Sequence, residues 1–254
     1  MKDLACCIWA LPGSAAQQLT AAAALGFRVI DVRPNVLSDT AAWEAATNLS
    51  LTLSCVAISH GLPEGASLVS DIEAAQALPL MEGWIADASV RGARTTYVVP
   101  PVQVDGLDTY GKRLVRLAAH AASMGVRLCI EHFPGSILPT AADTLTFLDT
   151  VGHPNLYLLM DAGHLSMSNE GFASTARSAG RRLGYLHLDD NDGVHDQHLG
   201  LTEGIITADQ LQDLFVALAE KNADCGISLE LHPQLPDPAA SLGRSRDLLT
   251  SLTS

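Results

Sequence analysis

Two stretches of this chain, LYLLMDAGH at residues 156–164 and GYLHLDDNDGVHDQH at residues 184–198, decide its fold. Each is a short apolar run that stops at side chains able to bind a metal, beginning with Asp161 in the first and His187 in the second. Such a run is typical of a strand buried in a parallel sheet whose carboxyl end faces a polar site. Asp161 and His187 lie 26 positions apart, which is the spacing of consecutive βα units. We therefore ask whether the rest of the chain repeats this unit.

Apolar runs alternate with helix-like segments over the whole chain. Eight strands are predicted, at residues 4–10, 27–34, 51–59, 93–101, 126–133, 156–164, 183–190 and 225–233. The helices between them have start signals at Ser14, at Ser38 or Asp39, at Thr140 and at Thr207. A further helix is predicted from about residue 67 to 88, with Pro79 as a candidate break.

This alternation predicts a parallel sheet built from right-handed βαβ units. Eight units in 254 residues match a single (β/α)8 TIM barrel with an eight-stranded parallel sheet, so we interpret residues 1–254 as one domain. The alternative is an open doubly wound sheet, which usually begins with a glycine-rich phosphate turn. The sequence after the first strand, WALPGSAA at residues 9–16, has no such turn.

The charge balance disfavours several classes of protein. The net charge is −13, from 28 acidic against 15 basic residues, whereas binding to duplex DNA needs a basic footprint. No apolar run is long enough to span a membrane, and we interpret the faintly signal-like N-terminus as the first strand. The five cysteines are odd in number and lie in or beside apolar runs. We therefore expect free thiols and a cytoplasmic protein that binds neither nucleic acid nor membranes.

The last four predicted strands each end in a residue that can bind a metal. These residues are Glu131, Asp161, His187 and Glu230. In a closed barrel the carboxyl ends of the strands converge on one mouth, so we expect the four side chains to meet there. Three carboxylates without basic partners repel one another, and a divalent cation relieves this repulsion. Three oxygens and one imidazole suit Mn²⁺, Mg²⁺ or Co²⁺, with Zn²⁺ as a further option.

Four motifs resemble those of the xylose-isomerase-like barrels, a superfamily of sugar isomerases and epimerases, inosose dehydratases and, more distantly, endonuclease IV. The motifs are IEHF at 130–133, LLMDAGH at 158–164, YLHLDDNDG…DQH at 185–198 and SLELHP at 228–233. The resemblance implies that Glu131, Asp161, His187 and Glu230 bind one divalent metal. It also implies that Glu131 and Glu230 form the acid/base pair and that His164 contacts a substrate oxygen.

These residue types suit a reaction through an enediolate. A bound cation stabilises the negative charge, and two carboxylates remove and return a proton next to a carbonyl. We therefore expect an isomerase or epimerase of a small sugar, polyol or hydroxy-keto compound. The alternatives are a metal-dependent dehydratase or lyase on the same scaffold and a non-catalytic barrel that binds a metal-chelated metabolite. Homo-oligomers are frequent among similar proteins.

The chain also departs from the branches that it resembles. The epimerase branch commonly carries a second glutamate where this chain has Ile137, and an arginine where this chain has the run DDND at 189–192. Asp196 and His198 resemble the extra ligand pair of the multi-zinc endonuclease, but also a segment of many sugar-isomerase-like members. The fourth strand ends in VVPP without the histidine that the nuclease uses, and with the acidic charge this disfavours DNA repair.

Further candidates for substrate binding end the first three strands. Trp9 could form an apolar wall against a sugar ring or pack in the barrel, and His60 could face the mouth or lie on a surface loop. Arg33 could bind a substrate carboxylate or phosphate, or form a salt bridge with Asp31. Asp196 and His198 complete the set of candidate substrate contacts, and we leave open whether they are extra metal ligands.

Overall fold

The strands of this protein close into a barrel. The computed structural model describes residues 4–102, 105–221 and 223–253. Within these residues the strands pair in the order β1-β2-β3-β4-β5-β6-β7-β8 and β8 pairs with β1, all in parallel. They are β1 (Leu4–Cys7), β2 (Val29–Val32), β3 (Thr52–Ala57), β4 (Thr95–Val98), β5 (Arg127–Glu131), β6 (Leu156–Asp161), β7 (Leu183–Leu188) and β8 (Gly226–Leu229). The predicted TIM barrel is confirmed.

The helices form a layer around the barrel. They are α1 (Ala15–Ala24), α2 (Pro34–Leu37), α3 (Thr40–Asn48), α4 (Asp71–Val90), α5 (Leu107–Ser123), α6 (Ala141–Val151), α7 (Ala162–Met167), α8 (Phe172–Ala179), α9 (Ala208–Glu220) and α10 (Pro238–Leu252). None of the helices among the described residues has the length and apolarity that a membrane span requires.

The predicted helix starts are confirmed where a side chain caps the backbone. Ser14, Asp39, Thr140 and Thr207 each accept a hydrogen bond from the N–H three residues later. The break considered at Pro79 does not occur, because α4 continues through it. That helix begins at Asp71 rather than near residue 67. The short helix α2, which carries Pro34 in its first turn, was not predicted.

Several predicted strands are too long at their carboxyl ends. β1 stops at Cys7, and Trp9 lies on the 3₁₀ turn Ile8–Ala10. Likewise β3 stops at Ala57, and His60 lies on the 3₁₀ turn Ile58–Gly61. Ile8 and Ile58 remain buried in these turns, so the apolar pattern continues after the strand has ended. Apolar periodicity indicates which residues are buried, and here the buried residues continue beyond the end of the strand.

The barrel interior is filled in layers. Cys129, Leu159 and Tyr185 belong to one buried cluster, separate from the larger core between barrel and helices. Each lies two residues before a predicted metal ligand, so alternation along the strand turns the ligand toward the same interior. Gly226 makes room for this layer, because a Cβ there would lie 2.2 Å from a ring carbon of Tyr185.

Candidate metal centre

The carboxyl ends of β5 to β8 bring four predicted ligands together at the barrel mouth. Glu131 and Asp161 are the last residues of β5 and β6, His187 is next to last in β7, and Glu230 directly follows β8. The register pairs Asp161 with His187, so two of the ligands are neighbours across the sheet. All four side chains are buried.

The ligand atoms converge closely enough for one ion. One atom from each of Glu131, Asp161, His187 and Glu230 lies within 4.8 Å of the others. His187 Nδ1 is 2.6 Å from Glu230 Oε2, 3.1 Å from Glu131 Oε1 and 4.0 Å from Asp161 Oδ2. Asp161 Oδ2 and His187 Nε2 are buried without a hydrogen-bond partner among the described residues. An unpaired buried carboxylate oxygen is costly, and a cation bound by these three oxygens and one nitrogen would pair it.

The negative charges of this cluster also favour a bound positive charge. Burial disfavours a charged imidazole, yet the carboxylates of Glu230 and Glu131 raise the pKa of His187 well above its usual value. Burial raises the pKa of Glu131. Burial acts in the same sense on Glu230, but the charge of His187 holds its pKa well below the usual range. The carboxylates therefore favour the protonated imidazole, whose positive charge offsets their negative charge. A bound divalent cation would offset that negative charge in the same way.

A second polar cluster adjoins the first. His164 lies on α7, its N–H donates to Asp161 Oδ1 at 2.7 Å, and its Nδ1 is 2.9 Å from the carbonyl oxygen of His132. Its Nε2 is 3.4 Å from Asp196 Oδ1, which is also 3.1 Å from His198 Nε2. Burial opposes charge on His164, but Asp161 and Asp196 raise its pKa to about 10. The predicted substrate contacts His164, Asp196 and His198 are thus neighbours.

Asp189, the first residue of the run DDND, joins this second cluster. Its Oδ2 is 2.7 Å from His198 Nδ1, and one ligand atom each from Asp161, Asp189 and His198 lies within 4.8 Å of the others. Burial, and then the charge of Asp161, raises the pKa of Asp189 to about 7. The signal was its position two residues after His187, because alternate residues of a strand face the same side.

The other polar residues of this loop shape its backbone. Asp190 accepts hydrogen bonds from the N–H groups of Gly204, Ile205 and Ile206. The side chain of Asn191 donates to the carbonyl oxygen of Gly163. His198 has a left-handed backbone with φ of 45°, which is strained for a residue other than glycine and is held here by the contacts of its ring.

A cavity of about 620 Å³ lies over the site, within the usual range for a small-molecule pocket. Its polar lining includes Glu131, His164, Asp196, His198 and Glu230, together with Ser59, Glu64 and Ser67. The apolar side chains among its lining residues are Leu62, Leu68, Met81, Val98, Phe133 and Tyr110, together with Val99 and Pro101. His60 also lines the cavity.

The remaining candidates from the first three strands lie beside this cavity. Trp9 Nε1 donates to Glu230 Oε1 at 3.2 Å, so Trp9 contacts a predicted ligand directly. Burial lowers the pKa of His60, and its ring meets that of Tyr97 edge-on at 6.0 Å. Arg33 stacks on Trp9, with Cζ 5.0 Å from the ring centroid. The salt bridge considered between Arg33 and Asp31 does not form, because Asp31 accepts hydrogen bonds from the hydroxyl of Tyr185 instead.

A closed parallel barrel with three carboxylates and an imidazole at its mouth defines a TIM barrel with a candidate metal site. The family model described as xylose isomerase-like TIM barrel matches residues 19–252. The chain belongs to this family.

Curated relatives and solved structures agree with this assignment. L-ribulose 3-epimerase of Methylomonas sp. (strain DH-1) is 35% identical over 88 residues, which are 34% of this chain and 30% of the relative. Inosose dehydratase of Clostridium perfringens (strain ATCC 13124) is 29% identical over 82 residues, 32% of this chain and 28% of the relative. These matches thus span less than a third of each relative. The structure of D-allulose 3-epimerase from Methylomonas sp. in complex with D-allulose is 18% identical with a TM-score of 0.82, covering 99% of this chain and 98% of that one; at this identity it shows the fold.

Proposed function

We propose that the protein is a divalent-metal-dependent isomerase or epimerase that acts on a small sugar, polyol or hydroxy-keto compound. The observation that carries this proposal is the convergence of Glu131 and Glu230 on one nitrogen of His187, at 3.1 and 2.6 Å, beneath the cavity. Two carboxylates so placed can exchange one proton with a carbon held between them. The epimerases and the dehydratase among the relatives support an enzyme of this class.

Glu131, Asp161, His187 and Glu230 would hold one divalent cation. When bound, the cation supplies Lewis-acid polarisation of substrate oxygens. Glu131 and Glu230 then act as the acid/base pair: one carboxylate removes the proton next to the carbonyl, and the other delivers a proton to the neighbouring or the same carbon. The indole N–H of Trp9 holds the Glu230 carboxylate in place through its hydrogen bond to Oε1.

The charged groups of the second cluster would bind the substrate. The raised pKa of His164, about 10, keeps its imidazole protonated, so that Nε2 donates a hydrogen bond to a substrate oxygen. Asp196 and His198 line the same wall of the cavity and contact substrate hydroxyls. His60, Trp9 and Arg33 contact the substrate from the side of the first strands. Residues 1–254 act as one domain with this single mouth.

The second candidate function is a dehydratase or lyase. His164 is the observation that favours it, because a protonated imidazole beside the acid/base pair could donate a proton to a departing hydroxyl group. A barrel that only binds a metal-chelated metabolite is the third candidate. We further infer a cytoplasmic protein, since all five cysteines are free, and a protein without a nucleic-acid partner, since the net charge is −13.

Deuterium incorporation tests the proposal. The purified protein is assayed for metal content, reloaded in turn with Mn²⁺, Mg²⁺, Co²⁺ and Zn²⁺, and incubated in heavy water with a panel of ketoses, aldoses, polyols and hydroxy-keto acids. We expect about one divalent ion per chain and a product that is an isomer of its substrate carrying deuterium at one carbon. A product lighter by one water would support the dehydratase instead. Binding to panel compounds without exchange under all four metals would support the binding protein, and absence of a bound ion would refute the site.

A further inference from the structure

Arg33 is a half-buried cation that forms no ion pair within the described part of the chain. It directly follows β2, and its guanidinium lies over the ring of Trp9. Its Nε is buried and has no hydrogen-bond partner among the described residues. Two other partly buried arginines, Arg113 and Arg127, pair with carboxylates at 2.6 and 2.5 Å. A buried N–H group that is left unpaired costs free energy, so Arg33 is poised for a partner from outside the chain.

The acid nearest to Arg33 in sequence already has a partner. The hydroxyl of Tyr185 donates to the carboxylate of Asp31, two residues earlier, and lies 2.8 and 2.9 Å from its two oxygens. Stacking on Trp9 holds the guanidinium plane in place, and a planar guanidinium presents parallel N–H groups that match a carboxylate. The preferred ligand of this group is therefore an oxyanion.

Arg33 lies on the side of the cavity formed by the first three strands. The indole on which it stacks donates to Glu230 Oε1 at 3.2 Å. The next residue, Pro34, packs against Gly61, since a Cβ on that glycine would lie 2.8 Å from the proline ring. His60, which precedes this glycine, lines the cavity. Arg33 thus lies over the indole that contacts Glu230 and precedes the proline that packs beside the His60 turn.

We propose that Arg33 binds a carboxylate at the far end of the substrate, so that the substrate is a hydroxy-keto acid. The inference rests on the function proposed above and narrows its substrate class. Arg33 is not itself among the described residues that line the cavity, none of which is a lysine or an arginine, so it would bind the end of a substrate that extends beyond them. One guanidinium without a second cation balances a carboxylate better than a phosphate dianion, which carries up to twice the charge.

A matched pair of ligands tests the assignment. 5-Keto-D-gluconate and L-sorbose share one carbon skeleton and one hydroxy-keto end, and they differ only in a carboxylate against a hydroxymethyl group at the other end. Binding of each to the metal-loaded protein is measured by calorimetry for wild type, Arg33→Gln and Arg94→Gln. Arg94 is the control because it is exposed and precedes β4, at the opposite end of the barrel.

We expect wild type and Arg94→Gln to bind the keto acid at least about tenfold more tightly than the ketose, and Arg33→Gln to reduce this ratio to about one. A ratio near one in wild type, or a ratio unchanged in Arg33→Gln, overturns the proposal. Stronger binding of L-sorbose 6-phosphate than of the keto acid would assign Arg33 to a phosphate and overturn the carboxylate. Thermal melting of Arg33→Gln verifies folding. Arg33→Lys keeps the positive charge but loses the parallel N–H groups of the guanidinium, so it should retain part of the preference for the keto acid over the ketose.

This test separates the inference from the proposed function. If the metal-loaded wild type exchanges deuterium into neutral ketoses while the keto acid has no advantage, the proposed function stands and the assignment of Arg33 fails. If neither ligand exchanges under any metal but the keto acid is preferred in an Arg33-dependent way, the proposed reaction fails and the anion site stands.

Discussion

The two halves of the barrel end in different chemistry. β5 to β8 deliver Glu131, Asp161, His187 and Glu230, whose ligand atoms lie within 4.8 Å of one another. β1 to β3 are followed by an indole, a guanidinium and an imidazole, and β4 is followed by apolar residues that line the cavity. Because the barrel is closed, the halves face each other across one mouth. One half therefore carries a cluster that fits a cation, whereas the other carries the side chains to which we assign substrate contacts.

The halves also differ in how their side chains are held. The ligands of β5 to β8 lie on strand residues or directly after them, so that the parallel ladder fixes their separation. Trp9 and His60 instead lie on 3₁₀ turns, and Arg33 caps the four-residue helix α2. The side chains of the first half are thus held by turns and not by the parallel ladder. Four predictions test this division.

The largest effect is expected for the acid/base pair. Glu131→Gln and Glu230→Gln each keep an oxygen that can ligate a metal but remove the group that carries the proton. Since general acid/base catalysis contributes typically about 10²- to 10⁴-fold, we expect kcat to fall by about that factor in each variant. Deuterium exchange into the substrate that the wild type turns over is the measurement.

Glu220→Gln is the matched control for these variants, because Glu220 is exposed and pairs only with Arg177 at 2.8 Å among the described acid–base pairs. Such a surface pair contributes little to stability. Retention of the wild-type rate by Glu131→Gln or Glu230→Gln would remove that residue from the reaction and leave the second half of the barrel with metal binding alone.

The second-largest effect is expected in metal affinity, which should depend on residues of β5 to β8 and not on those of the first half. Asp161→Ala removes a buried carboxylate with one unpaired oxygen, and we expect the dissociation constant of the divalent ion to rise by about 100-fold or more. Competition with a chromophoric chelator measures it. Asp149→Ala is the control, since this aspartate is 78% exposed and 3.9 Å from its nearest basic partner. An equal loss in His60→Gln would contradict the division, because that residue belongs to the other half.

Much of this arrangement could be predicted from the sequence. The four ligands were found because each ends an apolar run, and strand alternation then determines the side to which it points. The positions of Trp9 and His60 were less accessible, because the apolar pattern of Ile8 and Ile58 is the same in a strand as in the buried 3₁₀ turn that forms instead. The contact between Asp189 and His198 could not be predicted, because His198 approaches from the far end of an irregular loop.

The stacking of Arg33 could not have been predicted, for a different reason. Its proximity to Asp31 in sequence suggested a salt bridge. The carboxylate of Asp31 points into the barrel instead, where it accepts a hydrogen bond from the hydroxyl of Tyr185 on β7. Contacts between residues 154 positions apart depend on barrel closure, which no local pattern encodes.

A moderate effect is expected where the two halves touch. Trp9→Phe keeps an aromatic ring but removes the N–H that donates to Glu230 Oε1 at 3.2 Å. A hydrogen bond to a charged group contributes about 1.5–3 kcal/mol, so we expect kcat to fall by about 10- to 100-fold, with a smaller change in KM. Trp43→Phe is the control, because Trp43 likewise donates its indole N–H, at 3.2 Å, to the carbonyl oxygen of Leu37 on the outside of the barrel. Equal losses in both variants would mean that the effect is structural.

The smallest effect on the reaction is expected for Asp31, which lies between the halves below the mouth and is tested through stability alone. It lies in the first half, but one of its oxygens, the Cys7 sulfur and a nitrogen of His187 lie within 4.8 Å of one another. Burial raises the pKa of Asp31 from 3.8 to about 6, against the opposing effects of His187 and Tyr185. Between these two values the folded metal-free protein binds more protons than the unfolded chain, so its stability must fall as the pH rises through this window.

The total fall attributable to Asp31 is about 3 kcal/mol. In Asp31→Asn this contribution should vanish, because the amide does not ionise yet still offers Tyr185 an oxygen acceptor. Urea unfolding of the chelator-treated protein between about pH 4 and pH 6.5 measures the slope, with Asp149→Asn as the exposed control. An unchanged slope in Asp31→Asn would mean that Asp31 is ionised throughout, held so by His187. The charge of His187 would then control the protonation of a residue in the first half of the barrel. The two halves would differ in their side chains at the mouth, but they would be electrostatically coupled below it.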